Sequence, residues 1–226
     1  DSLTPVTIDV PSGRVQALVQ KERNVITGIT FRNVWSHVVA TDLSVQLDDG
    51  RTVVLDISYG GANYAILGAS QLGLEVIPDH LDELVRLGRE IKWKLNSSPE
   101  SQSQTDARLN GIYGTIFYDR LATTSTQLHQ SNVAIYADGR VDRSPCGSGT
   151  AARIAQLAAS NELQKGMTLL HESIIGTRFE GRIADTHEEN SIAGVIPEIT
   201  GNAWLMAESN FVLVPTDPLD SGFSLR

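Results

Sequence analysis

Two stretches of this chain carry a helical period, and the second is built almost wholly of small and apolar residues. It opens near residues 147–150 and runs through Ala151, Ala152, Ile154, Ala155, Leu157 and Ala158. Such a composition suits a central helix enclosed by other elements rather than one lying on a surface. The other helix starts at Pro78-Asp79, with Leu81, Leu84, Val85, Gly88, Ile91 and Leu95 at three- and four-residue steps. Asp79, Asp82 and Glu83 stand in its first turn, where the helix dipole favours them.

The remainder reads as short strands. Runs at 6–10, 15–19, 26–31, 34–39, 43–47 and 52–57 are rich in β-branched residues and separated by turn residues. Pro11-Ser12-Gly13 reads as a turn and Asp48-Asp49-Gly50 as a hairpin-type turn. Further strands are expected at 111–118, 132–136, 173–175, 177–183, 192–199 and 203–214. Ala137-Asp138-Gly139-Arg140 reads as a turn, and the polar stretch 96–105 as a flexible linker. Two helices are too few to cross over every strand pair, so the expected class is α+β with mostly antiparallel strands. Adjacent glycines in Tyr59-Gly60-Gly61-Ala62-Asn63-Tyr64 suggest a backbone that bends sharply or lets something approach closely.

The net charge is -9 over 226 residues. Such an acidic chain is not built to neutralise phosphates, which argues against nucleic-acid binding. No apolar run is long enough to span a bilayer, and no signal-peptide pattern opens the chain. One cysteine rules out an intrachain disulfide. The expected location is the cytoplasm. The chain starts without Met and enters a strand almost at once, which reads as starting in mid-fold.

The densest chemistry lies in Asp142-Arg143-Ser144-Pro145-Cys146-Gly147-Ser148-Gly149-Thr150. Pro145 fixes the approach, Cys146 stands at the mouth of a helix, and Gly147 and Gly149 let successive N–H groups converge. A carboxylate fits such a nest, and a thiol there is expected to have a lowered pKa. Ser148 and Thr150 add hydroxyl donors, and Asp142 offers a charge for an ammonium. The residues alone also allow a bland reading, a lone Cys buried in the core. No Gly-Lys-Ser/Thr follows for a P-loop, and no histidine spacing ties a base to Cys146.

This nine-residue segment resembles the second-cysteine signature of the proline racemase family, which includes hydroxyproline epimerases. Ile8-Asp9-Val10-Pro11-Ser12-Gly13, Asp56 through Ile66 with its double glycine, His171 through Phe179, and Pro215-Thr216-Asp217-Pro218 with Gly222-Phe223 resemble other family segments in the same order. The resemblance implies a diaminopimelate epimerase-like fold of two pseudo-symmetric halves. Strands wrap a central helix in each half, and one half is incomplete here. Residues 1–27 would be a remnant of the first half, 28–204 the second half with the Cys146 helix, and 205–226 a segment returning to the first half.

By the same resemblance, the substrate is proline or hydroxyproline and no cofactor is used. One thiolate takes the α-proton while an opposed thiol delivers one to the other face, because inversion needs acid and base on opposite sides. Cys146 would be the second thiol, Gly147 and Ser148 the carboxylate donors, Asp142 the contact to the ring nitrogen, and Tyr136 a pocket wall. The family often has Thr where Ser148 stands. Its first cysteine, in a Met-Cys-Gly-His motif, has no counterpart in these residues, so the chain as given is expected to be a poor racemase. The resemblance also implies a homodimer. Two rival functions are a trans-3-hydroxyproline dehydratase, a branch that typically has Thr at the second cysteine position, and a non-catalytic half. His37, His80, His129, His171 and His187 show no metal spacing and read as surface or structural. Glu172 and Arg178 read as structural, and Trp35 and Trp204 as core.

Overall fold

The structure, a computed structural model, describes residues 2–23, 25–102 and 109–219. Its strands are β1 (Ser2–Val10), β2 (Gly13–Glu22), β3 (Val25–Arg32), β4 (Ser36–Gln46), β5 (Thr52–Tyr59), β6 (Asn63–Gly68), β7 (Gly114–Thr123), β8 (Gln127–Tyr136), β9 (Arg140–Val141), β10 (Thr168–Ser173), β11 (Arg178–Glu189) and β12 (Ile192–Gly201). The helices are α1 (Leu81–Leu95) and α2 (Gly147–Ala159).

The sheet runs β4-β5-β6-β7-β8-β10-β11-β12 and closes on itself, because β12 also pairs β4 at Gly194↔His37 and Val195↔Ser36. Closure removes the open edges that a flat sheet would leave. At its other end β12 pairs β3, and β1-β2-β3 continue as an antiparallel ribbon beyond the barrel. Two pairings are parallel, β6 with β7 and β8 with β10. Each lies across a connection that holds one helix, as a parallel pair requires.

The two helices lie on opposite sides of the barrel wall. On the outside, α1 sets Leu84, Leu87, Ile91 and Leu95 against Val53, Leu55, Ile57, Leu67, Phe117, Val133 and Ile135. Inside, α2 packs Ala151, Ile154, Ala155 and Leu157 among Leu128, Leu169, Ile183, Val195 and Ile199. Residues Gly149 through Ala155 of α2 are all buried, Arg153 included. Arg153 is held by neutral partners. Its Nε donates to Gln130 Oε1 at 2.9 Å, and its guanidinium lies 3.6 Å from the Tyr118 ring centroid. This is the α+β architecture of strands wrapped around a central helix.

The double glycine explains how so slim a helix is reached. A Cβ on Gly60 would stand 2.2 Å from the Ser148 carbonyl oxygen and 2.5 Å from the Ala152 nitrogen. The turn between β5 and β6 therefore lies directly on the backbone of α2. Asn33 braces it, donating from Nδ2 to the Gly60 carbonyl at 2.7 Å.

Several expectations are corrected. The runs 34–39 and 43–47 form one strand, β4, bent by register shifts near Ala40 with Asp42 at φ 56°. β6 and β10 are strands where the sequence was read as a bend and as residues 173–175; each pairs one neighbour parallel and the other antiparallel, in a sheet that is otherwise antiparallel as expected. Residues 203–214 form no strand, and Trp204 is 73% exposed rather than core. Trp35 is half-buried, stacked on His37 at 4.1 Å between centroids. Positions 103–105 of the expected linker, and Gly222-Phe223, lie outside the described residues.

Candidate active site

Cys146 is the N-cap of α2, with φ 65° and ψ 117°. A non-glycine residue held at such a backbone angle carries strain on the order of 1–3 kcal/mol, which the surroundings must impose. Here the imposing bonds are visible. Asp142 Oδ1 accepts from the Ser144 amide and from its hydroxyl, both at 2.9 Å, and Ser144 Oγ in turn accepts the Cys146 N–H at 3.1 Å. On the other side, Thr150 Oγ1 donates to the Pro145 carbonyl at 3.1 Å. That leaves His171 Nδ1 as the donor to Thr150 Oγ1 at 2.8 Å. Thr150 is therefore a brace for the turn, fully buried, and not the pocket donor the sequence reading made it.

The first amides of α2, at Gly147 and Ser148, have no intrahelical acceptor, and the Cys146 side chain does not cap them. They point out of the helix N-terminus, where the dipole favours a negative charge. Gly149 is pressed against the sulfur: a Cβ there would stand 3.0 Å from Cys146 Sγ and 2.8 Å from Ile116 Cδ1. Only glycine fits.

Burial pushes the Cys146 thiol above its ordinary pKa. The expected lowering at a helix N-terminus is thus overturned. Desolvation of this buried residue outweighs the groups that favour thiolate, namely the Tyr64 hydroxyl, the Gly149 amide and Ser148. The Asp142 carboxylate adds to the rise. A thiol raised above its ordinary value is S–H at neutral pH.

A cleft of about 900 Å³ lies at the first turn of α2, which reaches it through Ser148. Ser148, Tyr136, Tyr113, Gly60, Gly61, Asn33 and Phe31 line it, together with Val10, Pro11 and Ser12 from the β1–β2 turn. Of the residues expected in the site, Ser148 and Tyr136 face this cleft. Cys146, Gly147 and Asp142 stand behind its surface: Gly147 against the Phe31 ring, Asp142 on the turn that leads to Cys146. The Tyr113 and Tyr136 rings stack with planes 2° apart and centroids 5.9 Å apart, and Tyr113 meets Tyr64 edge-on. Among the described residues no group of three or more His, Cys, Asp or Glu side chains is placed to hold a metal ion.

Sequence reasoning missed Tyr64 and Tyr113. Tyr64 lies in the double-glycine segment, on the inward face of β6 with Ile66, and it is wholly buried beside Cys146. The available signal was strand alternation, which puts Tyr64 and Ile66 on one face and Ala65 and Leu67 on the other.

The fold and this cysteine-capped helix define a known group: the proline racemase family profile matches residues 1–224, and the chain belongs to that family. It is 38% identical over 224 residues to a trans-3-hydroxy-L-proline dehydratase from Colwellia psychrerythraea, covering 99% of this chain and 62% of that protein. It is 34% identical over 226 residues to a proline racemase from Clostridioides difficile, covering 100% and 67%. A hydroxyproline epimerase from Agrobacterium vitis, solved with bound trans-4-hydroxy-L-proline, superposes with a TM-score of 0.89 at 29% identity, covering 99% of this chain and 63% of that one. The chain thus spans less than two thirds of the length of the dehydratase and of the epimerase.

Proposed function

We propose that this chain forms the Cys146-bearing half of a cofactor-independent racemase or epimerase that inverts the α-carbon of proline or hydroxyproline. The observation that carries the reading is the thiol held at the strained N-cap of an enclosed helix, next to a cleft that the first helical turn borders through Ser148. The substrate carboxylate would take the Gly147 and Ser148 amides, and the Tyr136 ring would bound the pyrrolidine. Asp142 would answer the ring nitrogen. Cys146, protonated at rest, would deliver a proton to one face of the α-carbon as an opposed base removes one from the other. If that base is a second thiol, it is not among these 226 residues, which hold one cysteine. We further propose that residues 1–27 and 205–226 serve the half that carries it.

A dehydratase is the second reading, supported by the 38% identity to a protein of that name. Cys146 weighs against it, because elimination needs one base and that branch typically has Thr at this position. The test uses the full reading frame with L-proline, trans-4-hydroxy-L-proline and trans-3-hydroxy-L-proline in deuterated water. Inversion with deuterium at the α-carbon is expected, and Cys146→Ser should lower it about 10²–10⁴-fold, the usual worth of a positioned acid/base. Pyrroline formation without inversion would replace the proposal with the dehydratase. Undiminished inversion by the Cys146→Ser variant would end the two-thiol reading.

A further inference from the structure

The structure carries one side chain into contact with the thiol that neither the sequence motif nor the proposed mechanism uses. The Tyr64 hydroxyl lies 3.4 Å from Cys146 Sγ and 2.7 Å from Ser148 Oγ. Its ring is wholly buried, packed with Ile66, Ile116, Ala134 and Ala152. We propose that Tyr64 is a positioning residue that holds the Cys146 sulfur and switches its hydrogen bond with the protonation state of that sulfur. The proposal rests on the reading of Cys146 as a proton carrier.

The donor count makes the switch. A phenol has one proton to give and can accept from two sides; a serine hydroxyl is the same; a thiol is a weak donor and a weak acceptor. With the sulfur as S–H, the thiol donates to the Tyr64 oxygen and Tyr64 donates to Ser148 Oγ, so the Ser148 proton points elsewhere, toward the cleft. Once the sulfur has given its proton to the substrate carbon, the Tyr64 proton turns to the thiolate and Ser148 donates to Tyr64. The proton given to the substrate is the one that leaves; the phenol and serine protons only reorient, and the new bond to the thiolate is charge-assisted. The phenol stays protonated throughout, because burial and the neighbouring sulfur both hold its own ionisation well above the ordinary range. The other ionisable groups around the sulfur are Asp142 on the turn before α2, and Tyr113 with Tyr136 stacked behind it at the cleft. The first turn of α2 holds no acidic residue.

One cysteine in 226 residues makes the test direct, since any thiol signal is that of Cys146. The chain and its Tyr64→Phe variant are titrated by thiolate ultraviolet absorbance and by the rate of alkylation with iodoacetamide against pH. Tyr64→Phe should raise the apparent thiol pKa by about one to two units, the size expected on losing one hydrogen bond to a charged group. Tyr113→Phe, which touches the Tyr64 ring but is not bonded to the sulfur, should leave the midpoint within a few tenths of a unit. An unshifted midpoint in a Tyr64→Phe variant of native circular dichroism would overturn the proposal. Should that variant fail to fold, the unaltered chain decides: its one S–H infrared band must lie below that of a thiol in apolar solvent, and an unshifted band would refute the bond. Neither readout requires turnover, so a failure here is separable from a failure of the racemase reading.

Discussion

Replacing Gly60 with Ala tests the central packing claim, that the β5–β6 turn lies on bare helix backbone. Gly60 is not at a positive φ, so Ala brings no conformational strain and the whole effect is steric. The added Cβ would meet Ser148 O at 2.2 Å and Ala152 N at 2.5 Å. Favourable carbon contacts begin at about 3.5 Å, so the turn must retreat by roughly 1 Å. Both obstacles are backbone atoms of a helix that the barrel encloses, and neither can swing aside. Overpacking of this kind typically costs about 1–3 kcal/mol, and a backbone obstacle places Gly60→Ala near the upper figure. With a urea dependence of about 2–3 kcal/mol per molar, the unfolding midpoint should fall by about 1 M. Gly28→Ala in β3 is the control. Its Cβ would find only Gln20 Oε1, at 3.8 Å, and a change within about 0.5 kcal/mol is expected. Because the displaced turn uncovers the start of α2, alkylation of Cys146 should also quicken in Gly60→Ala. Equal midpoints for the two variants would refute the packing argument.

Two further outcomes follow from burial. His171 is fully buried, and burial depresses its pKa from 6.5 to about 3. The unfolded chain therefore binds a proton that the folded chain refuses between those values. The stabilisation is complete above pH 6.5 and is lost as pH falls, by about 1.4 kcal/mol per unit. Urea midpoints measured from neutral pH downward should show this slope, and His171→Asn should flatten it; parallel slopes would disprove the assignment. Phe211 is 90% exposed, so Phe211→Ser should shift the stability of this chain by no more than about 0.5 kcal/mol. A loss above 1 kcal/mol would mean that residues 203–214 pack on the barrel.

What the sequence settled by itself was local. Alternating β-branched runs marked most strands, the three- and four-residue period marked α1, and the small residues after Gly147 marked α2 as an enclosed helix, because each pattern reflects geometry within a few residues. The Cys146 motif was legible for the same reason: proline, cap and glycines act on one continuous turn. Tertiary structure decided the rest. β6 and β10 find their parallel partners β7 and β8 across connections that each hold a helix, and no short window encodes those pairings or the closure of β12 on β4. Trp204 looked like core by residue type, yet whether a side chain is covered depends on what lies next to it in space. The thiol was read as acidic from the helix terminus alone. Its raised pKa comes from desolvation by a whole barrel wall, with Tyr64, 82 positions away in the chain, among the residues that enclose it.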